Sequence, residues 1–131
     1  MLVNRRNKIK SKIVTLSLAV ALMATANSAA AAVKSASLDG SGTYKNTVSQ
    51  TATNTISGKI SATNTGGNTT TRGYAKKSIS WLPDSTVAST NWLTPGQGQS
   101  VNFTQKKGDI FYGQIVGQTV GSRGSVTITV N

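Results

Sequence analysis

Residues 125–130 alternate strictly between polar and apolar side chains. The apolar members are Val126, Ile128 and Val130, and the polar members are Ser125, Thr127 and Thr129. Successive side chains of a β-strand point to opposite faces, so this spacing predicts a strand with one buried and one solvent-facing side. A half-buried strand commits this part of the chain to a sheet that covers a core.

The preceding segment, residues 110–116, carries apolar side chains on both alternating faces. That composition suits a strand near the centre of a sheet. Glycines at 117, 121 and 124 interrupt the connection that follows, and Gly121–Gly124 is the predicted reversal. The two strands and this turn predict a β-hairpin that completes the fold.

The rest of the chain from Val33 repeats short extended segments separated by turns. Candidate strands cover residues 36–38, 43–48, 56–63, 70–81, 87–93 and 99–105. Candidate turns cover 39–42, 65–68, 94–96 and 106–109, with a hairpin turn predicted at 65–68 and a type II turn at 94–96. No helical periodicity appears after residue 32. The pattern predicts one all-β domain over residues 33–131, a small antiparallel β-sandwich or short barrel of six to eight strands.

The candidate strand over residues 70–81 contains an irregularity. Ile79 and Trp81 share one face, and core packing is favoured for Trp81 because that face is apolar. Lys77 would fall on the same face. We therefore predict a β-bulge or a strand end near Lys76 and Lys77.

Residues 1–32 have the composition of an export signal. Arg5, Arg6 and three lysines open the segment, an apolar run over residues 13–26 follows, and Ala-x-Ala spacing ends it. This order predicts a helical secretory signal peptide that is cleaved between Ala26 and Ala32. An uncleaved membrane anchor over residues 13–33 is the alternative. The signal predicts a secreted, extracellular protein whose mature chain has no transmembrane segment, and the absence of cysteine favours a bacterial source.

The charge balance indicates an anionic partner. Of the fourteen Lys and Arg residues, five precede residue 13, which leaves nine basic against three acidic residues and a formal charge of +6 after residue 32. Such a surplus favours anionic cell-wall polymers or envelope lipid. Because the protein is predicted to be exported, we expect no nucleic-acid partner. The alternative is that the charge serves solubility alone.

The sequence offers little catalytic chemistry. It has no His, Cys or Glu, which excludes Ser/His/Asp and Cys/His nucleophilic sites within the chain. Its three carboxylates, Asp39, Asp84 and Asp109, each lie beside Gly, Pro or Ser, where Asp commonly bonds its own turn. A Ser/Lys pair remains open, although no motif points to one. We therefore expect no enzyme activity, metal or cofactor.

Basic and aromatic residues are the candidates for a binding site. Arg and Lys meet phosphate or carboxylate groups, and aromatic rings stack on sugar faces. Tyr74 and Lys76 share a strand face, so a basic-aromatic surface is geometrically possible there. Core packing of Trp92 and simple solvation of the lysines are the alternatives. The predicted binding residues are Arg72, Tyr74, Lys76, Lys77, Trp92, Lys106 and Lys107.

The segment Ser61–Gly66, followed by a strand with Arg72 and Ala75, is similar to the lactococcin 972 class of bacteriocins over about a third of the chain. The predicted export and the basic surplus lead to the main hypothesis, a secreted, non-enzymatic, cationic protein that acts at an anionic bacterial envelope, either bacteriocin-like or wall-binding. One alternative is a structural matrix protein that self-associates through the strand edges of the Thr-rich stretch Thr47–Thr71. A carbohydrate-binding module is the other.

Overall fold

The computed structural model describes residues 31–131, which form two antiparallel β-sheets packed as a sandwich. The strands are β1 (Ala32–Asp39), β2 (Tyr44–Asn46), β3 (Gln50–Thr51), β4 (Gly58–Gly66), β5 (Thr71–Ser78), β6 (Ser85–Ser89), β7 (Gly98–Phe103), β8 (Ile110–Gly117) and β9 (Arg123–Val130). The described part of the chain contains no helix, which confirms the predicted all-β sandwich. Almost all of the predicted signal peptide lies outside the described residues, so export stays a prediction.

The four-stranded sheet has the order β1–β9–β4–β7, and the five-stranded sheet has the order β2–β8–β5–β6 with β3 also paired to β8. The nine strands of residues 31–131 exceed the predicted number because β2 and β3 are very short and share β8 as their partner. The predicted central position of residues 110–116 is confirmed. Every strand finds its partner within residues 32–131, so these residues form a compact unit with its own core.

The chain repeatedly crosses between the two sheets. Among the described strands, only β5 and β6 are sequence neighbours that pair with each other. β8 and β9 lie in different sheets, so the predicted closing hairpin is wrong. The predicted hairpin turn at residues 65–68 is wrong for the same reason, since β4 and β5 also lie in different sheets. Gly67 (φ 83°) and Gly121 (φ 99°) do supply the left-handed backbone that these two connections need.

The core lies between the sheets and takes its members from alternate positions of the strands. Its fully buried apolar side chains are Ile60, Ala75, Phe111, Ile115, Val126 and Ile128. Phe103 and Phe111 come from opposite sheets, and their ring centroids are 5.0 Å apart. Burial of one such large side chain stabilises the folded state by about 1.5–3 kcal/mol. The predicted alternation of residues 125–130 is confirmed, because the apolar set is buried and the polar set is not.

The end of β5 differs from the predicted strand. β5 stops at Ser78, and Trp81 lies in the following loop with a φ of 65° and a fully exposed side chain. The prediction that Trp81 packs in the core is wrong, because the alternation that would turn it inward ends before it. The predicted irregularity is confirmed: pairing with β6 shifts register between Ala75 and Lys76, with Val87 as the extra residue.

Two local predictions have opposite outcomes. The type II turn at 94–96 is confirmed, since Gly96 has a φ of 88° and the Gln97 amide donates a 2.9 Å hydrogen bond to the Thr94 carbonyl. The candidate strand over residues 56–63 begins later than predicted, because β4 starts at Gly58. Ile56 precedes β4 and is 60% exposed.

Candidate functional site

Arg72, Tyr74 and Lys76 occupy alternate positions of β5 and lie on the outer face of the five-stranded sheet. The β5 residues between them are buried, whereas these three side chains are partly exposed. Trp92, which follows β6 in the chain, contributes a second aromatic ring beside Arg72. We call Arg72, Tyr74, Lys76 and Trp92 the cation–aromatic face. The structure thus brings together four of the predicted binding residues.

The guanidinium group of Arg72 is held in place by neutral partners. Its Cζ atom lies 5.2 Å from the ring centroid of Tyr74 and 6.0 Å from that of Trp92. Its Nε donates a 2.6 Å hydrogen bond to the carbonyl of Thr90, and its Nη2 donates a 3.0 Å bond to the Ser89 hydroxyl. The ion pair found within residues 31–131 joins other residues. The charge of Arg72 is therefore oriented but not neutralised.

Tyr74 is flanked by a second cation. The Lys76 Nζ lies 5.4 Å from the Tyr74 ring centroid. Tyr74 therefore stands between Arg72 and Lys76 on one face of β5. Cation–π contacts at partly exposed sites contribute about 0.5–1 kcal/mol each. These contacts hold the side chains of Arg72, Tyr74 and Lys76 in line along β5. Because the side chains are already ordered, they lose less conformational entropy when a ligand binds.

Tyr112 extends this row onto β8, where it lies directly opposite Lys76. Its hydroxyl donates a 2.8 Å hydrogen bond to Asp84 Oδ2 in the β5–β6 loop. Burial, together with the bond to Asp84 and the charge of that carboxylate, raises the pKa of Tyr112 to about 12. The phenol is therefore protonated at neutral pH and remains a hydrogen-bond donor.

Amide side chains lie on the other flank of Tyr74. Gln114 of β8 is opposite Tyr74, and its Nε2 donates a 3.0 Å bond to Asn46 Oδ1 of β2. Beside them is a shallow depression, lined by Thr43, Tyr44, Gln114, Val116, Gly117 and Gln118. Sequence reasoning missed these residues. The strands that carry them were predicted, but nothing in their composition showed that β8 would pair with β5 and β2 with β8.

The remaining predicted residues form a separate group at one end of the sandwich. Lys77 forms an ion pair with Asp109, with 3.4 Å between Nζ and Oδ2. That same carboxylate accepts a 3.3 Å hydrogen bond from the backbone amide of Lys106, which with Lys107 lies in the exposed turn before β8. We call Lys77, Lys106 and Lys107 the lysine end. Lys77 follows Lys76 directly in β5, but its side chain pairs with Asp109 and not with the aromatic rings.

The three carboxylates act as turn formers, as predicted. Asp39 accepts bonds from the hydroxyl and the backbone amide of Ser41, and the hydroxyl bond is the main cause that lowers the pKa of Asp39. Asp84 accepts from the amide of Ile79 and Asp109 from that of Lys106. Asp39 lies at the opposite end of the sandwich from the other two.

The described residues offer neither a metal-binding cluster nor a membrane-spanning helix. Residues 31–131 hold no cluster of three or more acidic, His or Cys side chains that could bind a metal ion. They also contain no helix with the length and apolar character needed to span a bilayer.

The fold and this face define a β-sandwich with an open, basic, aromatic surface on one sheet. The sequence matches no family model and no curated protein. Among solved structures, the chain is similar to the Yersinia pseudotuberculosis-derived mitogen, at 14% identity and a TM-score of 0.46, over 77% of this chain and 86% of that chain.

Two further solved structures are similar. The CBM22-1 and GH10 modules of a Clostridium thermocellum endo-1,4-beta-D-xylanase, complexed with xylohexaose, share 8% identity at a TM-score of 0.42, over 76% of this chain and 24% of that chain. The C-terminal domain of a structural protein from sulfolobus turreted icosahedral virus shares 14% identity at a TM-score of 0.38, over 77% and 98% of the two chains. At such identities the likeness concerns the fold alone.

Proposed function

We propose that this chain is an exported, non-enzymatic binding protein whose cation–aromatic face holds an anionic polysaccharide of a bacterial cell envelope. The observation that carries the proposal is the state of Arg72. Two aromatic rings, a carbonyl and a hydroxyl fix its guanidinium group, yet no carboxylate of the described residues neutralises it.

The chemistry of the face matches a charged sugar chain. A guanidinium group binds carboxylate or phosphate with two parallel hydrogen bonds. The partly exposed rings of Tyr74 and Trp92 offer apolar surface to a sugar ring, and the amide of Gln114 can exchange hydrogen bonds with sugar hydroxyls. Binding of this kind needs no pair of catalytic carboxylates. The proposal is therefore of a protein that holds its ligand without cleaving it.

The shape of the face favours a chain over a compact small molecule. From Arg72 to Lys76 the strand covers roughly 13 Å, since a strand rises about 3.3 Å per residue. Small-molecule sites are usually enclosed and mostly apolar. This surface is open and polar, so its ligand would lie along the strand.

Binding assays with a matched charge control test the proposal. Domain variants of residues 31–131 would be titrated with polygalacturonate, with neutral dextran and with isolated bacterial cell walls. We expect Arg72→Gln to weaken binding to the anionic polymer and to walls by about tenfold, the effect of losing about 1.4 kcal/mol. Arg123→Gln removes the same charge from β9, which belongs to the other sheet, and should change binding by less than about twofold.

The alternatives give different results. Equal losses for Arg72→Gln and Arg123→Gln would mean that only overall charge attracts the polymer, and the site assignment would fail. Equal affinity for dextran and polygalacturonate would leave a carbohydrate-binding module without the anionic specificity. Growth inhibition of related strains would be needed to support the bacteriocin-like hypothesis, for which the described residues offer no specific feature.

Self-association would need strand edges other than the predicted ones. β4, the main strand of the stretch Thr47–Thr71, pairs with β7 on one side and β9 on the other, so it has no free edge. The edges of the four-stranded sheet are β1 and β7. Concentration-dependent sedimentation, abolished by proline substitution in β1, would support the matrix hypothesis.

A further inference from the structure

We infer that Trp81 and Leu82, in the loop between β5 and β6, insert into the headgroup region of an anionic lipid bilayer. This surface adjoins the cation–aromatic face at Lys76 and does not depend on the polysaccharide function. The Trp81 side chain is 100% exposed and that of Leu82 is 65% exposed. These two adjacent large apolar side chains lie at a loop tip and do not pack against the core.

The backbone of Trp81 supports a role outside folding. Among the non-glycine residues of 31–131, only Trp81 has a positive φ, at 65°. A bulky side chain is unfavourable in this region, where glycine or asparagine is the usual residue. The fully exposed ring makes no packing contact that could offset the cost of this backbone conformation, so tryptophan at this position does not stabilise the fold. The strained conformation does project the ring away from the sandwich.

The loop is held in place at its base. Asp84 Oδ1 accepts a 3.2 Å hydrogen bond from the Ile79 amide, and Asp84 Oδ2 accepts the 2.8 Å bond from Tyr112. The Leu82 amide also closes the turn onto the Ile79 carbonyl. The single side chain of Asp84 therefore fixes both ends of the loop, so the apolar tip is presented with little loss of entropy on insertion.

Positive charge surrounds the tip. Ser78 pairs with Ile110, so the β5–β6 loop and the turn with Lys106 and Lys107 leave the sheet at the same end. Lys76 and Lys77 stand at the base of the loop. The two carboxylates at this end already have partners: Asp84 accepts a hydrogen bond from Tyr112, and Asp109 forms an ion pair with Lys77. Four lysines against two aspartates leave a surplus that attracts anionic headgroups.

The combination points to a lipid surface as the occupant. Tryptophan favours the membrane–water interface because its ring is apolar and its N–H can meet headgroups. Leucine adds apolar area, and shallow insertion combined with basic residues is a recognised mode of peripheral binding. Ile56, 60% exposed on the neighbouring loop, and Ile110, 41% exposed at the start of β8, widen the apolar surface at this end.

Vesicle partitioning of the compact domain, residues 31–131, tests the inference. Vesicles with phosphatidylglycerol would be compared with pure phosphatidylcholine vesicles, using the parent and the double variant Trp81→Ser, Leu82→Ser. We expect the double variant to lose at least about tenfold in partitioning into the anionic vesicles. Val120→Ser, which removes an apolar side chain that is 68% exposed at the opposite end, should change partitioning by less than about twofold.

Fluorescence reports the insertion directly. The protein has two tryptophans, so Trp92→Phe leaves Trp81 as the only tryptophan, whose emission is followed with excitation that tyrosine does not absorb. Its emission should shift to shorter wavelength with anionic vesicles, and Lys106→Gln with Lys107→Gln should reduce that shift. Unchanged emission, or unchanged partitioning of the double variant, overturns the inference.

The two proposals fail separately. Arg72→Gln should lose polysaccharide binding while keeping vesicle binding. A double variant that loses polygalacturonate binding but keeps its vesicle partitioning would assign Trp81 to the glycan and overturn the membrane inference.

Discussion

The hydroxyl of Tyr112 donates a 2.8 Å hydrogen bond to Asp84, joining the central strand β8 to the loop between β5 and β6. This one contact connects two surfaces. Tyr112 borders the cation–aromatic face through Lys76, and Asp84 anchors the loop that carries Trp81. Because a neutral phenol is the donor, the contact depends on the protonation state of Tyr112.

Stability should therefore fall at high pH. The folded-state pKa of Tyr112 is raised to about 12 from the ordinary 10.0. A raised pKa stabilises the folded state below the unfolded value, and that contribution is lost as pH rises from about 10 to about 12. Thermal unfolding followed over this range should show a steeper decline for the parent than for Tyr112→Phe. Phenolate absorbance should show one tyrosine ionising last, and parallel pH curves would contradict the assignment.

Removing the buried amide of Gln105 should destabilise the fold more than removing an exposed amide. Gln105 is almost fully buried, its Nε2 donates a 2.6 Å bond to the Asn131 carbonyl, and its Oε1 accepts a 3.1 Å bond from the Asn131 amide. Gln105→Ala leaves the Asn131 amide unpaired, while the Asn131 carbonyl keeps the bond from the Thr53 amide, and should lower the free energy of unfolding by about 1–3 kcal/mol. Gln97→Ala, which removes an exposed bond to the Thr94 amide, should cost less than about 1 kcal/mol. Chemical denaturation measures both, and similar costs would refute the special role of Gln105.

Trp81→Gly should not destabilise the domain. A left-handed backbone costs a bulky residue about 1–2 kcal/mol, and added glycine flexibility in the unfolded chain takes back about 0.5–1 kcal/mol. The net expectation is an unchanged free energy of unfolding, or a gain of up to about 1.5 kcal/mol. Phe111→Ala, in the core, should instead cost about 3–5 kcal/mol. A loss above about 1 kcal/mol for Trp81→Gly would show that the ring contributes to folding after all.

Two glycines with similar backbones should respond differently to alanine. Gly67 and Gly96 have φ values of 83° and 88°. A Cβ atom at Gly67 would lie 2.5 Å from the Gly121 carbonyl oxygen, whereas one at Gly96 would meet nothing within 4 Å. Gly96→Ala should cost about 1–2 kcal/mol from the backbone alone, and Gly67→Ala clearly more. If denaturant unfolding gave equal losses of stability, the turns that contain Gly67 and Gly121 would be able to move apart without cost.

Part of the candidate site could be predicted from sequence. Residues two apart on a strand share a face, so the grouping of Tyr74 with Lys76 follows from the period of the strand. The contact between Arg72 and Trp92 does not follow, since it depends on how the chain returns after β6. The position of Gln114 beside Tyr74 depends likewise on which strand pairs with β5. Strand pairing is a long-range choice that local composition does not encode.

Alternation and turn chemistry determined the class of fold. The period of two in residues 125–130 required a half-buried strand. Glycines marked turns in the sequence, and several of them have positive φ in the structure. These are local effects of backbone and side-chain geometry, so the sequence shows them directly. A local pattern states which face of a strand is buried, but it does not state which sheet that strand joins.

Tertiary structure alone decided the pairing. β8 and β9 look like a hairpin in sequence, yet each buries its apolar face against the other across the core instead of pairing edge to edge. Both arrangements satisfy the same alternation, and only packing of all nine strands selects between them. The same holds for Trp81, whose environment was set by β5 ending at Ser78. Once the strand stops, the period that assigned Trp81 to the core no longer applies, and the side chain is left in solvent.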